Sequence, residues 1–235
     1  MNISKKIIVI TWSSDWIWKE IALRLAKENA ILVCIARNKE KLQEVCELAM
    51  KNGAAGAHAY PCDISDRQQL EETVDAILQD LWSIDILINN AWMRQKLSPL
   101  ESIDSTTVEQ IIQTNLVWLI QCTRMFMPML QTREQAAIIN ISSKSGVTAQ
   151  EWQSVYTASK YWVRGFTEVL KTDLKWSHIR VAGIYQSWTN TQMFNKTWED
   201  FPIEKFTDPA DLADVIAYML TLPEKIWLHD VRVQY

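Results

Sequence analysis

Ile7-Ile8-Val9-Ile10-Thr11-Trp12-Ser13-Ser14-Asp15-Trp16-Ile17-Trp18 is the stretch that decides the fold. Its first five residues form a short apolar run suited to a buried parallel strand. Beyond Trp18, Ile21, Ala22 and Leu25 recur at helical spacing. A strand, a tight turn and a helix N-terminus together present backbone N–H groups to a phosphate. Such a turn draws on glycine, for φ freedom and for close approach of the ligand. Here Trp12, Trp16 and Trp18 stand in the turn instead.

The same alternation continues along the chain. Ile31 to Ala36 reads as a second buried strand, and Lys39 to Lys51 as a helix with Leu42, Val45, Cys46 and Ala49 on one face. Ala57 to Tyr60 leads into Pro61-Cys62-Asp63. Asp66 caps a helix striped by Leu70, Val74, Ile77 and Leu81. Ile84 to Ile88 is a fourth strand ending in Asn89-Asn90, and a long helix is expected from about Ser105 to Leu130, broken near Pro128. Ala136 to Ile141 is a fifth strand, Val155 to Leu174 a helix, and Ile179 to Tyr185 a sixth strand. Ser187 to Phe206 lacks periodicity and reads as a loop over a site. Asp208-Pro209 opens a helix, and Ile226 to Val233 makes the last strand, with Trp227 inside it. The expected fold class is α/β: a Rossmann-like, doubly wound parallel sheet of about seven strands with helices on both faces. No linker, repeat or low-complexity stretch divides residues 1–235, so one domain is expected. Ligands of such sheets bind beyond the carboxyl ends of the strands, at the switch point.

Composition narrows the function. A net charge of −4 over 235 residues offers no basic surface for nucleic acid or an anionic membrane. No apolar run reaches the length of a membrane span. Cys34, Cys46, Cys62 and Cys122 show no C-x-x-C pairing and read as reduced, buried thiols of a cytoplasmic protein. His58, His178 and His229 are scattered without ligand spacing, so no metal is expected. The anomaly is 12 Trp against 5 Gly, where average usage of about 7% would give roughly three times as many glycines.

Chemistry-bearing residues fall in order at the strand ends: Asn89-Asn90-Ala91-Trp92, Asn115 in the long helix, Ser142-Ser143, then Tyr156 and Lys160 four residues apart on one helical face. With Cys62-Asp63-Ile64, Thr114-Asn115-Leu116-Val117 and Asn140-Ile141-Ser142-Ser143, these stretches resemble the short-chain dehydrogenase/reductase family over nearly the whole length. A lone Y-x-x-x-K carries little weight; with the upstream serine and the Asn-Asn-Ala strand end in this order it is specific. The resemblance implies hydride transfer between a nicotinamide and a carbonyl or alcohol, with Tyr156 as general acid/base. A free tyrosine, with pKa about 10, is too weak an acid for this, and a nearby ammonium brings it toward the working range. Lys160 suits that task and, in the family, also holds the nicotinamide ribose. Ser143 would stabilise developing charge on the carbonyl oxygen; Ser142 is its rival, and the family spacing to Tyr156 favours Ser143. By resemblance, Asn115 supports a water relay to Lys160.

The resemblance also implies cofactor contacts from Thr11, Ser13, Ser14 and Ile17 in the first turn and from Asp63, Ile64, Asn90 and Ala91. Thr189 and Thr191, in the loop after the sixth strand, join Tyr156 and Lys160 at the other end. Asp63 could equally cap a turn. Arg37 and Asn38 follow the second strand, where NAD-specific relatives carry an acidic residue for the ribose hydroxyls. A guanidinium pairs with a phosphate, so NADP(H) is expected over NAD(H). A homodimer or homotetramer packed through the Asn115 and Tyr156 helices is implied, acting on a small-molecule carbonyl or alcohol. Met193, Phe194 and Phe201 favour an apolar substrate.

The family pattern expects glycine at positions 12, 16, 18 and 92, and by looser similarity at 82, 118, 162 and 176. Where relatives read Pro-Gly after the sixth strand, this chain has Gln186-Ser187 followed by Trp188. An L-residue in the left-handed region loses roughly 1–2 kcal/mol, and overpacking costs about 1–3 kcal/mol per site. Three readings stand: an NADPH-dependent reductase, a silent Rossmann scaffold whose dinucleotide pocket is filled by indoles, or a reductase altered by Gly-to-Trp exchange.

Overall fold

The computed structural model describes residues 1–11, 17–190 and 203–234. Trp12, Ser13, Ser14 and Trp16 of the first turn, Thr191, and Met193, Phe194 and Phe201 of the expected substrate loop lie outside the described residues.

The strands are β1 (Ile7–Thr11), β2 (Ile31–Ala36), β3 (Gly56–Pro61), β4 (Ile86–Asn89), β5 (Ala136–Ser143), β6 (Ile179–Gln186) and β7 (Asp230–Val233). The helices are α1 (Ile17–Ala26), α2 (Lys39–Lys51), α3 (Arg67–Leu81), α4 (Ser105–Ile112), α5 (Trp118–Gln131), α6 (Ser154–Asp173) and α7 (Pro209–Thr221). All strand pairs are parallel, in the order β3-β2-β1-β4-β5-β6-β7. The chain winds outward from β1 to β3, then returns to the other side of β1 and winds away to β7. This is the doubly wound Rossmann-like α/β sheet, with its switch point between β1 and β4.

Strand alternation builds a core on each face. Ile8, Ile10, Leu32, Cys34, Ile86 and Ile88 pack with α1, α2 and α7 through Ile21, Leu25, Leu42, Leu212 and Ile216. Ile7, Val9, Val33, Ile35 and Leu87 face the other way, onto α3, α5 and α6 through Leu70, Ile77, Phe126, Leu130 and Leu170. Helix starts are set by acceptor side chains: Asn38, Asp66, Asp104 and Asp208 each accept a backbone N–H in the first turn of α2, α3, α4 and α7. Pro209 follows its cap at a position where no backbone donor is lost. At the amino end of the sheet, buried Asp85 accepts from Ile7 N (2.8 Å), Lys6 Nζ (2.9 Å) and Arg133 (3.1 Å), tying β1 to β4 and α5.

Three local expectations are corrected. The long helix is not broken at Pro128: α5 runs through it to Gln131, held by the buried Phe126, Met129 and Leu130. The irregularity is a π turn at Gln113–Val117, between α4 and α5. The last strand begins only at Asp230, because the preceding segment turns through Ile226 N to Pro223 O (2.8 Å). Trp227 therefore lies before the strand, where its Nε1 donates to Val181 O (3.0 Å).

The tryptophans divide by environment. Trp162 and Trp176 are exposed, so they overpack nothing. Trp18 and Trp92 are buried in the same core as α1. Trp82 caps the end of α3 in the left-handed region, at φ +64°, with its side chain 80% exposed. A glycine would hold that conformation without the Cβ clash. Trp82→Gly is therefore expected to raise the unfolding free energy by about 1 kcal/mol, measured by urea denaturation; a loss of stability would show that the indole contributes packing that outweighs the backbone strain.

Candidate active site

The carboxyl ends of β1, β4, β5 and β6 carry a cluster of buried polar residues, among them Thr11, Asn89, Asn90, Asn140, Ser142 and Gln186. A buried amide chain fixes their spacing. Asn89 Nδ2 donates to Thr123 Oγ1 and to Asn140 Oδ1 (2.9 Å each), and Asn140 Nδ2 donates to Thr167 Oγ1 (2.9 Å). This links β4, α5, β5 and α6. Asn90, beside it, is different. Its N–H donates to Thr11 Oγ1 (3.2 Å) across the switch point. Its carboxamide is fully buried with neither Oδ1 nor Nδ2 hydrogen-bonded among the described residues.

Ser143 ends β5 and caps a short 3-10 turn, accepting from Ser145 N (3.1 Å). The turn closes at Gly146, where an added Cβ would lie 2.7 Å from the carbonyl oxygen of Lys160. Only glycine lets the β5 end approach α6 this closely. Ser143 thereby lies beside the Tyr156 side chain, where it favours the phenolate, and lines the same cavity; Ser142, its neighbour, is buried with no hydroxyl partner among the described residues.

Tyr156 and Lys160 are both buried on the inner face of α6. Lys160 Nζ lies 5.7 Å from the centre of the Tyr156 ring and 5.8 Å from that of Trp92. The two rings are 6.1 Å apart and tilted by 53°. The ammonium is within 3.5 Å of the Ile141 carbonyl oxygen, a long contact. Burial pushes the lysine down to about 7. Burial also pushes the Tyr156 phenol up to about 12, opposed by the Ser143 hydrogen bond and the positive charge of Arg94.

Asn115 sits in the π turn, a feature frequent at functional sites. Its carboxamide is fully engaged: Oδ1 accepts from Met93 N (2.7 Å), and Nδ2 donates to Met93 O (2.8 Å) and Ser159 Oγ (2.9 Å). Ser159 Oγ donates in turn to Tyr156 O (2.7 Å), and Tyr156 N donates to Gln95 Oε1 (3.0 Å). Asn115 thus clamps the segment after β4 onto α6. Gln95, Ser159 and Arg94 were not anticipated from sequence. Gln95 and Arg94 lie in an aperiodic segment that gives no signal; Ser159 shares the buried face of α6, which periodicity alone does not distinguish from core.

Two cavities open at this end of the sheet. One is narrow and is lined by Ile17, Trp92, Arg94, Ser143, Lys144, Tyr156, Gln186 and Thr189, among others. The other is larger and is lined by Arg37, Asp63, Ile64, Trp92, Met93 and Trp118, among others. Ala91, between Asn90 and Trp92 in the chain, is buried and lines neither cavity. Asp63 does cap a turn, accepting from Ser65 N (2.9 Å), and its second oxygen lies 3.8 Å from the Arg37 guanidinium, an exposed pair. Asn38 spends its carbonyl oxygen on capping α2.

Known proteins share this architecture. A sequence profile described as short chain dehydrogenase matches residues 6–201. The chain is 26% identical to an uncharacterised oxidoreductase of Staphylococcus saprophyticus, over 100% of this chain and 99% of the other. It is 28% identical to a 3-oxoacyl-[acyl-carrier-protein] reductase of Thermotoga maritima, over 93% of this chain and 92% of the other. Its structure superposes with a TM-score of 0.84 on a metagenomic short-chain oxidoreductase in complex with NADP, 26% identical, with both chains fully covered. The profile spans most of the chain, and the sheet order is the one a doubly wound dinucleotide fold requires: the protein belongs to the short-chain dehydrogenase family of oxidoreductases.

Proposed function

We propose that the protein is an NADP(H)-dependent carbonyl reductase or alcohol dehydrogenase in which Tyr156 exchanges the proton. The observation that carries this reading is the meeting of Ser143 and Tyr156 at one cavity, with the buried Lys160 ammonium 5.7 Å from the centre of the Tyr156 ring. A nicotinamide cofactor bound here would supply or accept the hydride. Tyr156 holds the proton for the carbonyl oxygen, and Ser143 steadies charge growing on that oxygen. Burial holds the phenol near 12, opposite to the expected lowering, so it keeps its proton at neutral pH and is a weaker acid than a free tyrosine until a charge beside it eases the proton's departure. Lys160 carries the positive charge that favours the phenolate as the proton leaves. Asn115 and Gln95 position α6 rather than touch the reacting atoms.

The residues fit such a cofactor at both ends. Arg37 borders the larger cavity as a cation able to pair with a 2′-phosphate. Asn90 offers an unpaired buried carboxamide at the switch point, and an unmet amide of this kind costs about 1–3 kcal/mol until a ligand pairs with it. A relative 26% identical was crystallised in complex with NADP. For a second copy of the chain, α6 offers Trp162, Phe166 and Val169 at i, i+4 and i+7, with Trp162 and Val169 exposed. A dimer or tetramer through this face is part of the proposal. The four cysteines are free, buried thiols, which suits the reducing cytoplasm. No helix among the described residues is long and apolar enough to cross a membrane.

The test is direct binding of NADPH and NADH to the purified protein, followed by nicotinamide fluorescence. Tighter binding of NADPH is expected, and Arg37→Glu should weaken NADPH by tenfold or more while leaving NADH unchanged or improved. Equal affinities in both proteins would remove the NADP(H) assignment.

A further inference from the structure

Among the described residues that line the two cavities, Trp92 alone borders both. Its indole is 7% exposed and belongs to the main core. Its ring lies tilted against that of Tyr156, 6.1 Å between centres, and 5.8 Å from the Lys160 ammonium, so the same indole borders both groups of the Y-x-x-x-K pair. A dinucleotide reaching from Arg37 to Tyr156 must pass along the carboxyl ends of β1 and β4. Trp92, on the wall of both cavities, stands beside that path.

We infer that Trp92 is a built-in stopper that separates the dinucleotide groove into two chambers and sets the affinity for the whole cofactor. The inference rests on the NADP(H) reading above. An indole held by an aromatic neighbour and a cation must leave its seat before the pyrophosphate can bridge the chambers. Half-ligands make no such demand. The protein should therefore bind the adenine half of the cofactor nearly as well with the stopper as without it, and the whole cofactor much less well. This is a selectivity against full-length dinucleotides, and it follows from one side chain.

Calorimetry with NADPH and with adenosine 2′,5′-bisphosphate, on the full chain and its Trp92→Gly variant, separates the possibilities. The expected result is a gain of tenfold or more for NADPH in Trp92→Gly, with the bisphosphate affinity unchanged within about twofold. Trp92→Leu keeps an apolar side chain in the core, and with it most of the packing; it should gain less than Trp92→Gly but in the same direction. Its series stands in if the glycine variant does not fold by circular dichroism. If both ligands bind and their affinity ratio is the same in all three proteins, the stopper is refuted while the cofactor reading survives. If neither ligand binds any of the proteins, the cofactor reading falls and the stopper with it.

Discussion

Tyr156→Phe is expected to lower kcat by about 10²–10⁴-fold, the usual range for removing a positioned acid or base. The ring stays, so the contact with Trp92 at 6.1 Å and the burial in the α1-side core are kept. What disappears is the hydroxyl that faces Ser143. The loss should therefore appear in turnover and not in stability, with the melting temperature within a few degrees of the parent. Cofactor affinity should also hold, since Lys160 and the Arg37 end are untouched. Steady-state kinetics with an aldehyde panel and NADPH reads the first quantity, and calorimetry reads the others. A variant that keeps more than a tenth of the parental kcat would displace Tyr156 from the proton-transfer role.

Lys160→Met should do the opposite to stability. The ammonium is 1% exposed and has a single long contact to a carbonyl oxygen. Lowering a lysine from 10.5 to about 7 corresponds to roughly 5 kcal/mol of disfavoured charge. The sign follows from proton counts. Between the folded value near 7 and the ordinary value of 10.5, the unfolded chain binds more protons than the folded one, so stability rises with pH across that window. Below it the penalty is fully present. A methionine fills similar volume without the charge but forfeits the cation–π contacts, about 0.5–2 kcal/mol. The net gain is expected to be about 3 kcal/mol at pH 6. For a chain of this size that is a rise of roughly 6–12 °C in melting temperature. The advantage should fade as pH approaches 10. Above 10 the elevated Tyr156 works in the other direction: the folded protein holds the phenolic proton more tightly, so its contribution is full below 10 and falls away toward 12. Urea titrations of both proteins from pH 6 to pH 10 check this, and parallel curves would show that the buried lysine is not the source of the pH dependence. Turnover should collapse in the same variant, because the charge that destabilises the fold is the one that favours the phenolate.

The fold was legible because it depends on patterns that are local in sequence. Apolar runs such as Ile31 to Ala36, and a helix with buried residues at Leu42, Val45, Cys46 and Ala49, declare burial by spacing alone. The caps at Asp66 and Asp208 declare helix starts, since the acceptor and the N–H it meets are within three residues. Pro128 misled because a proline's missing donor is a local fact, whereas the packing that carries α5 past it is not. The π turn had no sequence signal; it serves contacts from Asn115 to Met93 and Ser159, 22 and 44 residues away.

The order of polar residues at successive strand ends likewise pointed to the end of the sheet where the candidate site lies, although Arg94, Gln95 and Ser159 carried no signal. By itself the sequence determined the alternation of strands and helices, the parallel sheet and which side chains reach its carboxyl end, because these follow from periodicity and from the handedness of the crossovers. Only the tertiary structure decided which tryptophans matter. Trp82, Trp162 and Trp176 turn to solvent, whereas Trp18 and Trp92 enter the core, and Trp92 comes to rest over Lys160 between the two chambers. Burial is a property of the packed surface around a residue, and no spacing along the chain records which neighbours will close over it.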